Sequence, residues 1–354
     1  MNYLQFAQNI LRLLNRFYSI LLFLFIVILG LQFKISYTYH FSLNNIPNNW
    51  PKPVYDFEKN PLNDKIIALG RKLFYDPILS LDNTISCSSC HLSFTAFTHV
   101  DHALSHGIND SIGTRNSPVL INLAWNKHFM WDGAVNHIDV QALAPISHPA
   151  EMGESIENVI LKLNKDSKYP VLFKEAFGSD EISSKQLLKA LAQFQLTLIS
   201  ANSKYDKVKH KEAEFNKQEK SGYKLFRKHC VSCHSEPLFT TGEFENNGLP
   251  IDTILKDIGR AKISQNPKDK YKFKIPTLRN IEYSFPYMHD GRFKSLNDVL
   301  DHYTSQISNA ENLSPQLQKG IKLSSDDKVD IIAFLLTLSD KDFLFNRDFQ
   351  FPRE

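Results

Sequence analysis

The pentapeptide Cys87-Ser88-Ser89-Cys90-His91 recurs as Cys230-Val231-Ser232-Cys233-His234, and the two copies use all the cysteines of the chain. C-x-x-C-H is the attachment signature of c-type haem. Two thiols add to the porphyrin vinyl groups, and the adjacent histidine becomes the proximal iron ligand. One C-x-x-C pair also suits a thioredoxin-like redox centre, and two pairs suit a four-thiolate zinc site. Neither explains a histidine after both second cysteines, and a shared zinc would have to be assembled across domains. Two covalent haem c groups therefore constrain the fold. Each needs its own pocket, so two lobes are expected, each enclosing one porphyrin.

A chain of 354 residues is long enough for two domains with appendages. Its net charge of +3 is too close to neutral to argue for nucleic acid. The stretch 17–33 (FYSILLFLFIVILGLQF) is almost wholly apolar, with Arg12 and Arg16 before it and Lys34 after. Its length is near the lower limit for spanning a bilayer. It reads as a signal peptide or an uncleaved signal anchor over 1–34. The anchor is preferred, because no small-x-small cleavage site follows. No cysteine follows it either, so a lipid-anchored mature terminus is excluded. Arg12 and Arg16 then stay cytoplasmic, and the rest is exported to the periplasm, held at the inner membrane. Export agrees with haem attachment, which takes place outside the cytoplasm in bacteria.

Pro47, Pro51 and Pro53 with their neighbouring asparagines mark 35–56 as a tether. A helix is expected from Asn60-Pro61, carrying Leu62, Ile66, Leu69 and Leu73 on one face. Gly70-Arg71-Lys72-Leu73-Phe74 precedes the first haem motif, and Gly222-Tyr223-Lys224-Leu225-Phe226 precedes the second. This echo marks an internal duplication. Leu187, Leu188, Leu191, Phe194 and Leu198 predict a helix closing the first half. The Lys- and Glu-rich stretch 202–219 reads as a solvated linker or exposed helix. Ser324-Ser325-Asp326-Asp327 is expected to cap a helix through Val329, Ile332, Leu335 and Leu336. No sustained apolar alternation argues for a large sheet. The expected fold class is all-α, with two cytochrome c-like domains at 57–205 and 206–340 and a tail at 341–354.

The phrases LGRKLFYDPILS, TRNSP, MWDG, QALAPI and Glu151-Met152, then FKIPTLRN, PYMHDG and DHY, resemble the bacterial dihaem cytochrome c peroxidase/MauG family over residues 57 to 340. The resemblance implies a peroxidatic haem on His91 and an electron-transfer haem on His234. Glu151 matches the family's distal acid/base, and Gln141 and Pro145 match its pocket neighbours. A carboxylate there can take a proton from one peroxide oxygen and return it to the other. Taken without the resemblance, Glu151 reads as a solvated loop carboxylate, because lone glutamates are mostly exposed. His106 matches a removable sixth ligand of the first haem, with Gly107 beside it to ease movement. His99 and His102 crowd the same stretch, and a surface histidine without iron contact is the plain alternative.

Tyr303, in Asp301-His302-Tyr303, matches the sixth ligand of the second haem, where MauG-like members carry tyrosine. Leu296, Leu300 and Tyr303 share a helical face, so the ring is expected to point inward. Met288 and His302 are weaker rivals, and a core tyrosine with a satisfied hydroxyl is the structural alternative. Trp131 matches a tryptophan between the haems. Asn116, Ser284 and Pro286 match positions around one calcium ion at the domain interface, with His289 beyond the ligands. The resemblance implies a hydrogen peroxide reductase drawing electrons from a small cytochrome c or a cupredoxin, and a homodimer as in relatives. A MauG-like oxidase acting through high-valent haem on a protein or small organic substrate is the alternative. A non-catalytic electron-transfer cytochrome is the third reading.

Overall fold

The computed structural model describes residues 11–22 and 46–352. Residues 11–22 are helical and exposed. Most of the apolar run at 17–33, and with it the expected membrane anchor, lies outside the described residues. Among the described residues no helix is long and apolar enough to cross a membrane.

From residue 46 onward the chain is mostly helical. Helix α1 (Asp64–Tyr75) starts later than Asn60-Pro61 suggested. Its N-cap is Asn63, whose side-chain oxygen accepts from the Lys65 and Ile66 amides at 2.9 and 3.2 Å. Asn60 instead meets the Tyr55 hydroxyl, and the Pro61 carbonyl accepts from Gln193 Nε2 at 3.0 Å. The second helix, α2 (Ser184–Leu196), buries Leu187, Leu191 and Phe194. Leu198 is also buried, but past the helix end.

The duplicated glycine has a packing reason. Where α1 crosses α2, a Cβ on Gly70 would lie 1.9 Å from the Ala190 carbonyl oxygen. Further on come α3 (Lys204–Lys209), α4 (Lys217–His229), α5 (Leu296–Asp301) and α6 (Ser325–Leu336). Where α4 crosses α6, a Cβ on Gly222 would lie 1.8 Å from the Asp330 carbonyl oxygen. Only glycine allows backbones so close. Phe194 and Phe334 sit beside the two crossings, and Phe74 and Phe226 are buried below them. Two helix pairs thus nucleate two hydrophobic cores, one per lobe.

Ser324 caps α6 with Asp327 in a capping box, as expected. The rotation of the helix differs from expectation. Val329 is 53 % and Leu336 41 % exposed, while Ile331, Phe334 and Leu335 are buried. The close crossing at Gly222 fixes which face turns inward, and it is not the face with the simplest apolar spacing. Among the described residues one regular strand pair forms, β1 (Phe244–Glu245) antiparallel to β2 (Phe273–Lys274).

Three stretches read as peripheral are packed. In the expected tether, Trp50 is buried and rests edge-on against Trp125, whose Nε1 donates to the Pro51 carbonyl at 2.7 Å. In the tail, Phe343, Leu344 and Phe349 join the first lobe's core. Tyr75 donates to the Phe349 carbonyl at 2.6 Å. Within 202–219, Tyr205 and Asp206 of α3 are buried. Asp206 receives a bidentate ion pair from the fully buried Arg279, at 2.8 and 2.7 Å. Charge composition predicted solvent there because the counter-charge lies far away in sequence.

Candidate functional site

Both haem motifs present the chemistry that covalent haem requires. All the cysteines are free thiols. His91 Nδ1 donates to the Phe97 carbonyl at 2.6 Å. His234 Nδ1 sits 3.2 Å from the Phe239 carbonyl and 3.1 Å from that of Pro276. A proton held at Nδ1 leaves the Nε2 lone pair for a metal. Burial pulls both imidazoles down to about 4, so they stay neutral.

The second motif opens on a cavity of about 290 Å³. Cys230, Cys233 and His234 line it, facing Leu296, Leu300 and Tyr303. The inward face expected for these last three is what the structure shows. Tyr303 lies in a single π-helical turn, His302–Gln306, that continues α5. Such turns re-aim side chains at functional sites. Burial pushes its hydroxyl up to about 12, with the two thiols adding to the rise and Asn247 opposing it. A bound cationic centre would reverse that balance.

The rival ligands part company. His302 is fully buried, its Nε2 donates to the Asn247 carbonyl at 3.0 Å, and its ring lies against Phe293. It is absent from the cavity wall. Met288 does line the cavity. Its sulfur accepts from Asn247 Nδ2 at 3.5 Å, and its φ of +76° is unusual for a side-chain-bearing residue. Asn247 was not found by sequence reasoning. Within Asn246-Asn247-Gly248 it reads as an ordinary turn asparagine.

At the first motif Glu151 is the notable group. Its charge is felt at Cys90. Desolvation raises its carboxyl above the ordinary range, and His148, 3.7 Å away, pulls the other way. The side chain is 41 % exposed, so it is sheltered but reachable. Glu154, three residues on, has the opposite fate. Burial pushes its carboxyl up, but Lys162 at 2.7 Å and the Ser155 amide outweigh that and hold it low. The Pro145 carbonyl accepts the Met152 amide at 3.2 Å and braces this turn. Gln141 ends a short helix (Ile138–Gln141) and donates through Nε2 to Met130 Sδ at 3.6 Å.

Gly107 is required by a close backbone contact. A Cβ there would lie 2.2 Å from the Ala150 carbonyl and 2.4 Å from that of Glu151. The Ile108 amide donates to the Glu151 carbonyl at 2.9 Å. His106 meets Asp110 through Nδ1 at 2.5 Å. The His99, His102 and His106 rings follow one another at 5.4 and 4.9 Å. Among the described residues, no group of His, Cys, Asp and Glu is arranged to hold a metal ion unaided.

The lobes meet through two matching turns. In 129–133 and 287–291 a methionine and a glycine both take positive φ (Met130 and Gly133, Met288 and Gly291), and each turn is closed by an antiparallel bridge. Asn116 joins them. Its amide donates to the His289 carbonyl at 2.7 Å, and its carbonyl accepts Trp131 Nε1 at 2.8 Å. Trp131 lies on the wall of the cavity at the second motif, as do Asn116, Ser284 and Pro286. The Asn116 side-chain nitrogen donates to Ala103, leaving Oδ1 as a ligand for a hard cation. Phe273 stacks on His289 at 3.6 Å, which fills the place beyond that set. Arg115 adds a bridge to Asp257 at 2.5 and 2.8 Å, and also bonds Asp132.

The chain is similar to known proteins over most of its length. A family model described as di-haem cytochrome c peroxidase matches residues 64–214, and a cytochrome c model matches 219–339. The methylamine utilization protein MauG of Methylorubrum extorquens is 35 % identical over 82 % of this chain and 82 % of its own length. The cytochrome c551 peroxidase of Nitrosomonas europaea is 33 % identical over 79 % of this chain and 81 % of its own. A crystal structure described as a MauG-like protein associated with microbial copper homeostasis superposes with a TM-score of 0.78 at 30 % identity, covering 88 % of this chain and 99 % of that one.

Proposed function

The chain belongs to the di-haem cytochrome c peroxidase/MauG family, and we propose that it is a peroxidase reducing hydrogen peroxide to water. Two electrons come singly from a small cytochrome c or a cupredoxin, and two protons complete two waters. Cys87, Cys90 and His91 would hold one haem c, and Cys230, Cys233 and His234 the other. When bound, these groups supply the electron transfer and the cleavage of the O–O bond.

The observation that carries the proposal is Glu151. It lies by the first haem motif, has no Lys or Arg partner among the described residues, and is raised by burial, while its neighbour Glu154 is locked to Lys162. Glu151 takes the proton from one peroxide oxygen and delivers it to the other, which departs as water. Gln141 acts one step back, through Met130. Trp131, held by Asn116, places an indole at the lobe junction as a relay. Tyr303 would help to hold the second haem through its phenol oxygen. Asn116 Oδ1 with the Ser284 and Pro286 carbonyls would hold a calcium ion. We further propose a periplasmic protein, held to the inner membrane by its N-terminal segment and active as a homodimer.

Tyr303 on the cavity wall favours a second reading, a MauG-like oxidase of a protein or small organic substrate. One experiment separates the readings. Hydrogen peroxide is added to the oxidised and half-reduced holoprotein, with and without reduced cytochrome c. Peroxide loss that depends on the donor supports the peroxidase. Loss without the donor, coupled to oxidation of an added organic substrate, supports the oxidase. No loss in any state leaves a carrier.

A further inference from the structure

The three side chains weighed for the sixth position of the second haem, Tyr303, Met288 and His302, are all tied to one residue, Asn247. Its Nδ2 donates to Met288 Sδ at 3.5 Å. Through its side chain, Asn247 also holds the Tyr303 hydroxyl down against the rise that burial causes. Its carbonyl takes His302 Nε2 at 3.0 Å. The amide's orientation is fixed independently, because Oδ1 accepts the Leu249 amide at 3.2 Å. The –NH2 end must therefore face the cavity, where its two hydrogens suffice for two acceptors.

We propose that Asn247 is a positioning residue that selects the axial ligand of the second haem. One N–H occupies the Met288 sulfur and keeps it off the metal. The other steadies the Tyr303 oxygen where it can bind. The backbone carbonyl turns the adjacent His302 away. Met288 needs such restraint. It shares the cavity wall with Tyr303, and its left-handed backbone points it there permanently. The first lobe uses the same device, with Gln141 Nε2 on Met130 Sδ in the matching turn. Both turn methionines thus carry an amide cap, although Gln141 follows its methionine in the sequence and Asn247 precedes its own. In the second lobe the cap also governs ligation.

The inference rests on Tyr303 being the sixth ligand, and its test separates the two ideas. Wild type, N247D, N247D/M288L and Y303F holoproteins are compared by absorption and paramagnetic resonance spectra of the oxidised form and by redox titration of the second haem. Aspartate keeps the acceptor for Leu249 and loses both donors. N247D should gain the thioether–iron(III) charge-transfer band and a raised potential, and M288L in that background should remove both. A folded N247D carrying both haems, with wild-type spectrum and potential, overturns the proposal. N247A, which removes the donors without adding charge, replaces N247D if that variant does not take up both haems. Y303F indistinguishable from wild type would overturn the tyrosine reading, and the inference with it. Altered Y303F with unaltered N247D would overturn the Asn247 inference alone.

Discussion

The two lobes share a frame and differ in what is placed on it. Each has a glycine that lets two helices touch, Gly70 on Ala190 and Gly222 on Asp330. Each has a motif histidine with Nδ1 on a phenylalanine carbonyl, Phe97 or Phe239. Each has a turn methionine under a carboxamide, from Gln141 or Asn247. The first lobe then places a part-sheltered carboxylate, Glu151, by its haem motif. The second places a phenol, Tyr303, in its cavity. On the proposed reading, a proton carrier in one and an anionic ligand in the other would divide substrate chemistry from electron supply. The difference lies in a few side chains, not in architecture.

The sharpest asymmetry in stability is the buried Arg279–Asp206 pair, which belongs to the second lobe. Arg279→Ala leaves Asp206 buried and unpaired, so it should cost about 3–5 kcal/mol. Calorimetry should show the loss in the transition of the second lobe. Equal destabilisation of both lobes would mean that they unfold as one unit.

The shared crossings predict a matched effect. Gly70→Ala and Gly222→Ala each drive a methyl into backbone, at a cost of about 1–3 kcal/mol by denaturant titration. A large gap between the two would show that the duplicated frame is not equally tight.

Acid should discriminate next. Burial pushes the Asp206 carboxyl up, but the Arg279 hydrogen bonds and charge, with Ser203, outweigh it and hold it low. A depressed carboxyl contributes stability that is present above its unfolded value. That contribution is lost as pH falls through the folded value, so the Tm of the second lobe should decline below roughly pH 4. Arg279→Ala should flatten that decline.

The frame was largely legible in the sequence because its signals are local. C-x-x-C-H, the repeated glycine and the Ser324 cap each declare themselves within a few residues. What escaped depends on partners distant in sequence. Asp206 looked solvated because Arg279 is far along the chain. The tail looked loose because Phe343 and Phe349 bury in the opposite lobe. Asn247 carries no motif, and its role exists only where Met288, His302 and Tyr303 converge. His302, named as a weaker rival ligand, has its Nε2 on the Asn247 carbonyl, a bond that its place beside Tyr303 in the sequence does not show.

The central claim is that Glu151 moves the proton in peroxide reduction at the first lobe. Its most direct test is donor-dependent peroxide turnover by Glu151→Gln holoprotein carrying both haems. The account predicts a loss of roughly 10²-fold or more, with the spectrum of the second haem unchanged. Turnover equal to that of wild type would contradict it.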